Sequence, residues 1–287
     1  MSRTIHHTPN YINGDGNFNL SYHLEMVSDY ERTKKAKDAI DFHIKPDSIF
    51  CELGCGTGIF SIYAAKRCKK VYAVEKDKTI LEIARKNAKN NNLAEKIEFI
   101  HADAIDIKLK EKVDIIFCEM LSIWLINEPQ VMVMNNAIKH NLKSGGKVIP
   151  EKVINLAELG NINYQFDGVE IKTSFAEFTG IRSPNIATES RFVNSIDFYR
   201  ENPKKIKTSV MFTSVIQEKL NCVRLFSIVQ FAPKINFHST DTLMPITTVP
   251  LKESLEVEVN ENINLNIEFK HLTNVDEAYF HVNKIIG

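Results

Sequence analysis

The sequence lacks an excess of charge of either sign, since its 36 Lys and Arg residues balance 36 Asp and Glu residues. No long run of one sign stands out, apart from the short basic patch around Lys204, Lys205 and Lys207. Binding of nucleic acid through its phosphates needs such an excess, so no nucleic-acid partner is expected. Long apolar runs are also missing: none approaches the roughly 18 residues of a membrane helix, and no signal-peptide core stands near the N-terminus. We therefore expect no membrane association and a cytoplasmic location.

Cysteine is scarce as well. The chain has 5 cysteines, an odd number that does not suit a disulfide framework, and most of them lie in apolar stretches. Cys51 and Cys55 could form a metal pair, but no Cys or His cluster of zinc-site spacing accompanies them. We expect buried free thiols in a reducing compartment and no metal site.

The 287 residues divide into two parts with different patterns. From about residue 20 to 150, helical and strand-like patterns alternate, which predicts a parallel sheet covered by helices on both faces. The first of these patterns predicts one helix over residues 20–44. We assign residues 1–150 to N-terminal helices and a Rossmann-like, doubly wound α/β domain.

The part after residue 150 has mostly strand-like runs, among them residues 169–175, 207–216 and 222–231. Residues 254–259 and 263–269 are two further runs joined by polar residues, a pattern typical of a β-hairpin. We assign residues 151–287 to a mostly antiparallel β-barrel or sandwich domain that binds the substrate.

A glycine-rich segment, FCELGCGTGIF, follows the first predicted strand and precedes a helix. Gly54, Gly56 and Gly58 allow sharp turns and a close approach of the backbone to a ligand. The next strand ends in Glu75, where an acid can bond ribose hydroxyls. The dinucleotide pattern G-x-G-x-x-G fails because Ile59 stands at its last position.

With Glu52 two residues before the first glycine, the segment resembles motif I of the class I S-adenosylmethionine-dependent methyltransferases. The segment HADAI matches the stretch after the third strand in that family, so Asp103 and the backbone of Ala104 would contact adenine. The resemblance implies S-adenosyl-L-methionine as the cofactor. The cofactor site would comprise Arg32, Glu52, Gly54, Gly56, Gly58, Glu75, Asp103, Ala104 and Glu119.

Three further segments narrow the resemblance to the protein arginine methyltransferases: HLEMVSDYERT, CEMLSIWLINE and LKSGGKVIPE. The resemblance implies that Arg32 pairs with the cofactor carboxylate and that Met26 lies beside the sulfonium. It implies catalytic roles for Met26, Asp29, Glu119 and Glu128, and a protein or peptide arginine as the methyl acceptor.

The two glutamates of the second segment, Glu119 and Glu128, are nine residues apart. In one α-helix they would point about 180° apart, so they converge only if the chain folds back between them, as in the family's double-glutamate hairpin. Convergent carboxylates would select a cation such as a guanidinium. Alternatively, Glu119 is a polar residue at a strand end, and Glu128 is a first-turn acid of a helix capped by Asn127.

Some residues depart from the family pattern. The family's barrel carries a Thr-His-Trp loop whose histidine pairs with the acid matched by Asp29, and residues 241–251 contain neither His nor Trp. His238 is a candidate replacement, and Trp124 either stacks on a substrate cation or is packed. Tyr11, Phe18 and Tyr22 do not keep the family's tyrosine spacing.

The short second half leaves little room for the arm that dimerises the family, so the oligomeric state stays open. Two alternatives to arginine methylation also stay open. One is transfer to another acceptor, namely a small molecule, lysine or cysteine, and the other is a non-catalytic binding protein that retains the fold.

Overall fold

A computed structural model of the chain describes residues 20–177, 183–239 and 244–285. Contacts divide the chain into two compact units. The first comprises Met1–Cys118 and Lys139–Ile149, and the second comprises Glu119–Ile138 and Pro150–Gly287. Residues 119–138, which the sequence-based division assigns to the first domain, thus group with the second unit.

The first part of the chain alternates helices with the strands of one sheet. In chain order these elements are α1 (Leu20–Ser28), α2 (Tyr30–His43), β1 (Ile49–Leu53), α3 (Ile59–Ala65), β2 (Lys70–Glu75), α4 (Lys78–Asn90), β3 (Ile97–His101), β4 (Val113–Cys118), α5 (Gln130–His140) and β5 (Leu142–Ile149). The strands form a sheet in the order β3-β2-β1-β4-β5, and all neighbours in it are parallel. The predicted Rossmann-like sheet is confirmed.

Burial explains why these segments form a two-sided sheet. All five residues of β1 are buried, as expected of a central parallel strand covered on both faces. In α4, the buried residues Ile80, Leu81, Ala84 and Ala88 form a stripe at helical spacing, and the Asp77 side chain caps its first turn. Strand order reverses between β1 and β4, and ligands of such sheets bind at the carboxyl ends of the strands beside this point.

The helix predicted over residues 20–44 is two helices, and this prediction is corrected at Asp29. Asp29 has extended backbone dihedral angles, and its Oδ1 accepts the Arg32 N–H at 3.2 Å as the N-cap of α2. An aspartate satisfies an otherwise unpaired helix donor in this conformation, which favours a new helix start over continuation.

The second unit consists mainly of antiparallel strands. They are β6 (Lys152–Asn161), β7 (Gln165–Phe166), β8 (Val169–Glu170), β9 (Phe175–Ala176), β10 (Asn185–Ile186), β11 (Arg191–Asp197), β12 (Lys205–Thr213), β13 (Glu218–Ala232), β14 (Ile235–His238), β15 (Thr247–Val257), β16 (Asn262–Lys270) and β17 (Tyr279–Lys284). One sheet has the path β10-β6-β13-β15-β9, with β11 beside β6 and β14 beside β13, and a second has the order β12-β16-β17. The predicted antiparallel second domain is confirmed.

Two local predictions in this unit are wrong. β15 pairs with β13 and β9, whereas β16 pairs with β12 and β17, so residues 254–259 and 263–269 belong to different sheets and form no hairpin with each other. Residues 169–175 hold only the two-residue β8 and the first residue of β9, because this stretch is largely exposed and buries too little apolar surface for one long strand.

Two features hold over all described residues, the state of the cysteines and the length of the helices. The five cysteines are free and buried, as expected. Within the described ranges, no helix has the length and apolar composition needed to cross a membrane.

Candidate active site

The glycine-rich segment forms a tight loop between β1 and α3. Its glycines have φ values of +77° at Gly54, +51° at Gly56 and +88° at Gly58. The N–H groups of Gly54 and Cys55 both donate to the Val74 carbonyl at 2.9 Å, which ties the loop to β2. Three left-handed positions within five residues explain why the sequence spaces its glycines this way.

Two of these glycines are also closely packed by neighbouring side chains. A Cβ on Gly56 would meet Nδ1 of His23 at 3.0 Å, and a Cβ on Gly58 would meet the Ala84 Cβ at 3.2 Å. His23, from α1, therefore lies directly over the loop. Burial lowers the pKa of His23, although the nearby carboxylates of Glu75 and Asp77 oppose this shift.

Glu75 is the buried last residue of β2. Its Oε2 accepts the Gly56 N–H at 3.0 Å and its Oε1 accepts the Asp77 N–H at 3.0 Å. Each carboxylate oxygen has a second lone pair, so both can still accept a ligand hydroxyl. The ribose role of Glu75 stays a prediction, and the structure adds that this residue braces the glycine loop.

Glu52 is buried within β1 and accepts a hydrogen bond from the Ser61 hydroxyl of α3. This contact fixes the first turn of α3 behind the glycine loop. Burial and the charge of Glu52 raise the pKa of the Cys55 thiol well above its usual range. Cys55 therefore stays a neutral thiol within the loop.

Asp103 and Ala104 follow the carboxyl end of β3. Asp103 is exposed, and its Oδ1 accepts the Ile105 N–H at 2.9 Å, while Ala104 is buried. The Ala102 N–H donates to the Glu75 carbonyl at 3.2 Å, which joins this segment to the end of β2. The carboxyl ends of β1, β2 and β3 thus gather the glycine loop, Glu75 and the Asp103 segment at one edge of the sheet.

The junction of α1 and α2 brings together Met26, Asp29 and Arg32. The Arg32 guanidinium, 4% exposed, donates through Nη1 to the Met26 Sδ at 2.9 Å and through Nη2 to the Met26 carbonyl at 2.5 Å. Asp29 Oδ2 is buried and has no hydrogen-bond partner among the described residues. A buried permanent cation beside a thioether and an incompletely bonded carboxylate is typical of a site for a polar ligand.

The segment from Glu119 to Glu128, here called the double-glutamate loop, follows β4 directly. It is neither a helix nor a pair of strands: a single 3-10 turn spans Ile123–Leu125. Glu128 lies before α5 begins at Gln130, so it is not in the first helical turn, and that alternative is corrected. Both glutamates are half-buried.

Side chains within and beside the loop hold its two ends. The Ser122 hydroxyl oxygen accepts the N–H groups of Asn127 and Glu128 at 3.2 and 3.3 Å. The buried side chain of Gln130 accepts the Met120 N–H through Oε1 at 2.6 Å. Neutral side chains therefore accept the backbone N–H groups of Met120, next to Glu119, and of Glu128 itself.

The middle of the loop has an unusual backbone. Trp124 and Leu125 have φ values of +52° and +58°, a conformation that costs an L-residue roughly 1–2 kcal/mol. Both side chains are fully buried, and burial of large apolar side chains stabilises by about 1.5–3 kcal/mol each, which offsets the strain. Sequence patterns do not reveal such a turn in a segment without glycine.

Trp124 explains why the loop groups with the second unit. Its indole N–H is shared between the carbonyls of Leu156 in β6 and Phe226 in β13, each at 3.2 Å. Its ring packs at 5.7 Å from Phe269 in β16 and 6.0 Å from Phe280 in β17, between ring centroids. Trp124 is thus packed between the two antiparallel sheets.

Two residues that sequence reasoning missed also hold the loop. Nδ1 of His271, which is 5% exposed, donates to the Leu125 carbonyl at 2.8 Å, and the Thr273 N–H donates to the Ile126 carbonyl at 3.1 Å. Burial lowers the pKa of His271. No sequence signal links residues this far apart in the chain.

Other residues singled out from the sequence are less informative. His238 is exposed at the end of β14, so its proposed replacement of the barrel histidine stays a prediction. Tyr22 is half-buried in α1 with its ring edge toward His23. Tyr11, Phe18 and residues 241–243 lie outside the described residues.

Comparison with known proteins identifies the family. A methyltransferase domain matches residues 50–146, which contain the glycine loop, Glu75 and the double-glutamate loop. The Uncharacterized protein MJ1452 of Methanocaldococcus jannaschii is 36% identical over 191 residues, which cover 66% of this chain and 70% of that protein. The chain belongs to the class I S-adenosylmethionine-dependent methyltransferases.

The methyltransferase also resembles protein arginine methyltransferases. A probable protein arginine N-methyltransferase 6.1 of Oryza sativa subsp. indica is 34% identical over 134 residues, covering 46% of this chain and 35% of that protein. The structure titled Trypanosoma brucei PRMT1 enzyme-prozyme heterotetrameric complex with AdoHcy superposes with a TM-score of 0.77 at 19% identity, covering 93% of this chain and 98% of that one. The two-part fold is therefore that of a protein arginine methyltransferase.

The cofactor of this methyltransferase is S-adenosyl-L-methionine. The residues present fit it, because the glycines of the loop have the positive φ values that let the backbone approach a ligand closely, and Glu75 retains accepting capacity. Arg32 supplies a permanent cation for a carboxylate.

Proposed function

We propose that the methyltransferase transfers a methyl group from S-adenosyl-L-methionine to a guanidino nitrogen of arginine in a protein or peptide. The observation that supports this most is the double-glutamate loop: hydrogen bonds from Met120 to Gln130 and from Glu128 to Ser122 show that the segment folds back, and each of its ends carries a half-buried glutamate. Glu119 directly follows Cys118, the last residue of β4 in the parallel sheet. The carboxyl end of that sheet is where a Rossmann-like fold binds its ligand.

In this proposal the first unit holds the cofactor. The glycine loop contacts the methionine moiety and adenosine, Glu75 the ribose, and Asp103 with the Ala104 backbone the adenine. Arg32 pairs with the cofactor carboxylate, and Met26 and Asp29 border the reacting centre. The contact of Arg32 with Met26 supports this grouping, since it already places the cation and the thioether together.

Glu119 and Glu128 then grip the acceptor, and Glu119 also borders the cofactor. A guanidinium keeps its charge at neutral pH, and carboxylates that accept its N–H groups localise that charge away from one nitrogen. This nitrogen attacks the methyl carbon as the bond from carbon to sulfur breaks. The sulfonium becomes a neutral thioether, and the methylated nitrogen releases one proton to solvent. Positioning and charge complementarity supply most of the acceleration.

The clamp is tested with Glu119→Gln and Glu128→Gln, which keep the side-chain shape and remove the charge. A charge-assisted hydrogen bond contributes about 1.5–3 kcal/mol, so kcat/KM for an arginine peptide should fall about 10- to 150-fold in each variant. Glu256→Gln is the matched control, because Glu256 is an exposed β15 carboxylate of the same unit. Mass spectrometry of peptides that differ only in carrying arginine, lysine or cysteine measures the transfer.

Calorimetric titration with S-adenosyl-L-methionine and its demethylated product separates binding from transfer. The glutamine variants should bind the product close to wild-type affinity. Undiminished arginine methylation in Glu128→Gln would remove the clamp, and methylation of the lysine or cysteine peptide alone would replace arginine as the acceptor. Cofactor binding without transfer to any acceptor would favour a binding protein. The cytoplasmic location and the lack of a nucleic-acid partner stay predictions, and the oligomeric state stays open.

A further inference from the structure

The double-glutamate loop is held from outside by residues far away in the sequence. Its middle, Leu125 and Ile126, is hydrogen-bonded to His271 and Thr273, which follow β16. Its Trp124 side chain lies between carbonyls of β6 and β13. The loop ends carry the two carboxylates, so the second unit fixes the segment on which both of them stand.

The side chain of His271 reaches the double-glutamate loop through one hydrogen bond. Its ring is buried, lies edge-on to Phe269 at 5.5 Å between centroids, and reaches the Leu125 carbonyl through Nδ1. Its backbone N–H donates to the Lys204 carbonyl at 3.0 Å, which fixes the start of the side chain. Nε2 is buried and has no hydrogen-bond partner in the described part of the chain. The buried ring therefore has one nitrogen bonded to the loop and one unsatisfied nitrogen, which costs stability.

The backbone at Leu125 needs such an anchor. Trp124 and Leu125 both have left-handed dihedral angles, which unstrained loops of bulky residues avoid. Release of the Leu125 carbonyl would let this turn relax toward ordinary angles. Because the turn lies between Glu119 and Glu128, relaxation would change the separation of their carboxylates.

We propose that His271 is a positioning residue for methyl transfer: it holds the Leu125 carbonyl and thereby keeps Glu119 and Glu128 at the spacing that grips the acceptor. This inference rests on the proposed function of the two glutamates. His271 itself touches neither the acceptor nor the cofactor. Its loss acts on the turnover step and leaves the binding of S-adenosyl-L-methionine unchanged.

The test compares His271→Leu with His271→Asn. Leucine fills a similar volume without a donor, whereas the asparagine amide nitrogen takes a position close to that of Nδ1 and can donate to Leu125. A misplacement of about 1 Å can cost roughly 100-fold, so kcat should fall about 10- to 100-fold in His271→Leu, with a smaller change in KM. His271→Asn should recover most of this loss. Should the leucine variant fail to fold, His271→Gln replaces it, since its amide lies at the position of Nε2 and misses Leu125.

A second readout follows the loop itself. Trp124 is the single tryptophan of the chain, so its fluorescence reports on this loop without any substrate. His271→Leu should shift the emission to longer wavelength and increase quenching by acrylamide, and His271→Asn should not. Calorimetry with S-adenosyl-L-methionine should give wild-type affinity in every variant.

Two results would overturn the inference: wild-type kcat in His271→Leu, or equal losses in the leucine and asparagine variants. Failure of the proposed function is recognised separately, by a wild-type protein that methylates no arginine peptide. In that case the Trp124 emission still decides whether His271 holds the loop.

Discussion

Gly56 allows the strain in the glycine loop to be measured, by comparing Gly56→Ala with Gly168→Ala. Both glycines have positive φ, at +51° and +84°. At Gly168, in the turn between β7 and β8, an added Cβ meets nothing within 4 Å. At Gly56 it meets Nδ1 of His23 at 3.0 Å and Cε1 at 3.3 Å, so the imidazole must move by a few tenths of an ångström.

The magnitude follows from the backbone. Left-handed dihedral angles cost an alanine roughly 1–2 kcal/mol, so Gly168→Ala lowers the free energy of unfolding by about this amount. The loop can respond to Gly56→Ala in two ways. If it keeps its conformation, the free energy of unfolding falls by the same roughly 1–2 kcal/mol. If it relaxes, the N–H that Glu75 accepts is displaced, and cofactor binding must restore the original conformation, which weakens the affinity by about 5- to 30-fold.

Urea unfolding and calorimetric titration with S-adenosyl-L-methionine measure the two quantities. We expect Gly56→Ala to lose at least about 1 kcal/mol in the sum of unfolding and binding free energies, with weakened binding. Gly168→Ala should lose stability alone. The reasoning is refuted if Gly56→Ala keeps wild-type values of both, or if Gly168→Ala also weakens cofactor binding.

Two further predictions concern stability. Arg224 donates to Glu177 at 2.8–3.0 Å and to Glu158 at 3.0 Å. Arg224→Met leaves the nearly buried Glu177 without its cation, so it should lower the free energy of unfolding, measured in urea, by about 3 kcal/mol. Lys219→Met, which removes one partner of an exposed ion pair, should change this free energy by less than about 1 kcal/mol. The second prediction concerns pH. Burial lowers the pKa of His23 and of His271 in the folded chain. Below about pH 6.5, the pKa of a histidine in the unfolded chain, the unfolded chain therefore binds more protons than the folded chain. The resulting stability is present above this pH and is lost as the pH falls through the folded-state pKa values. The free energy of unfolding, measured between pH 7.5 and 5, should therefore fall with pH, and it should fall less steeply in His271→Asn. A wild-type free energy of unfolding that does not change over this range would contradict the prediction.

Local sequence patterns were enough to predict the sheet and most helices of the first unit. Strands such as β1 are buried on both faces and are therefore continuously apolar, and each helix between them has its own apolar stripe. The glycine spacing could be recognised because each glycine meets a local need, a positive φ or a missing Cβ. The junction at Asp29 was missed because an aspartate at helical spacing reads equally as a helix residue or as a cap, and only the path of the chain decides.

Strand partners in the second unit could not be predicted in the same way. Residues 254–259 and 263–269 have the alternation and polar connection of a hairpin, yet each strand joins a different sheet. Alternation specifies that a strand has one buried face, and it does not specify which neighbour covers that face.

The sequence by itself determined the class of the protein: a Rossmann-like sheet with a glycine loop after its first strand, S-adenosyl-L-methionine as the cofactor, and a β-rich second half. These features are encoded in residues close together in the chain. That the two glutamates share one site stays a proposal. Tertiary structure alone decided how the double-glutamate loop is held. Its anchor His271 contacts Leu125 across 146 positions of the sequence, and Trp124 owes its burial to strands that no local pattern assigns to it. Such contacts depend on which surfaces meet after folding.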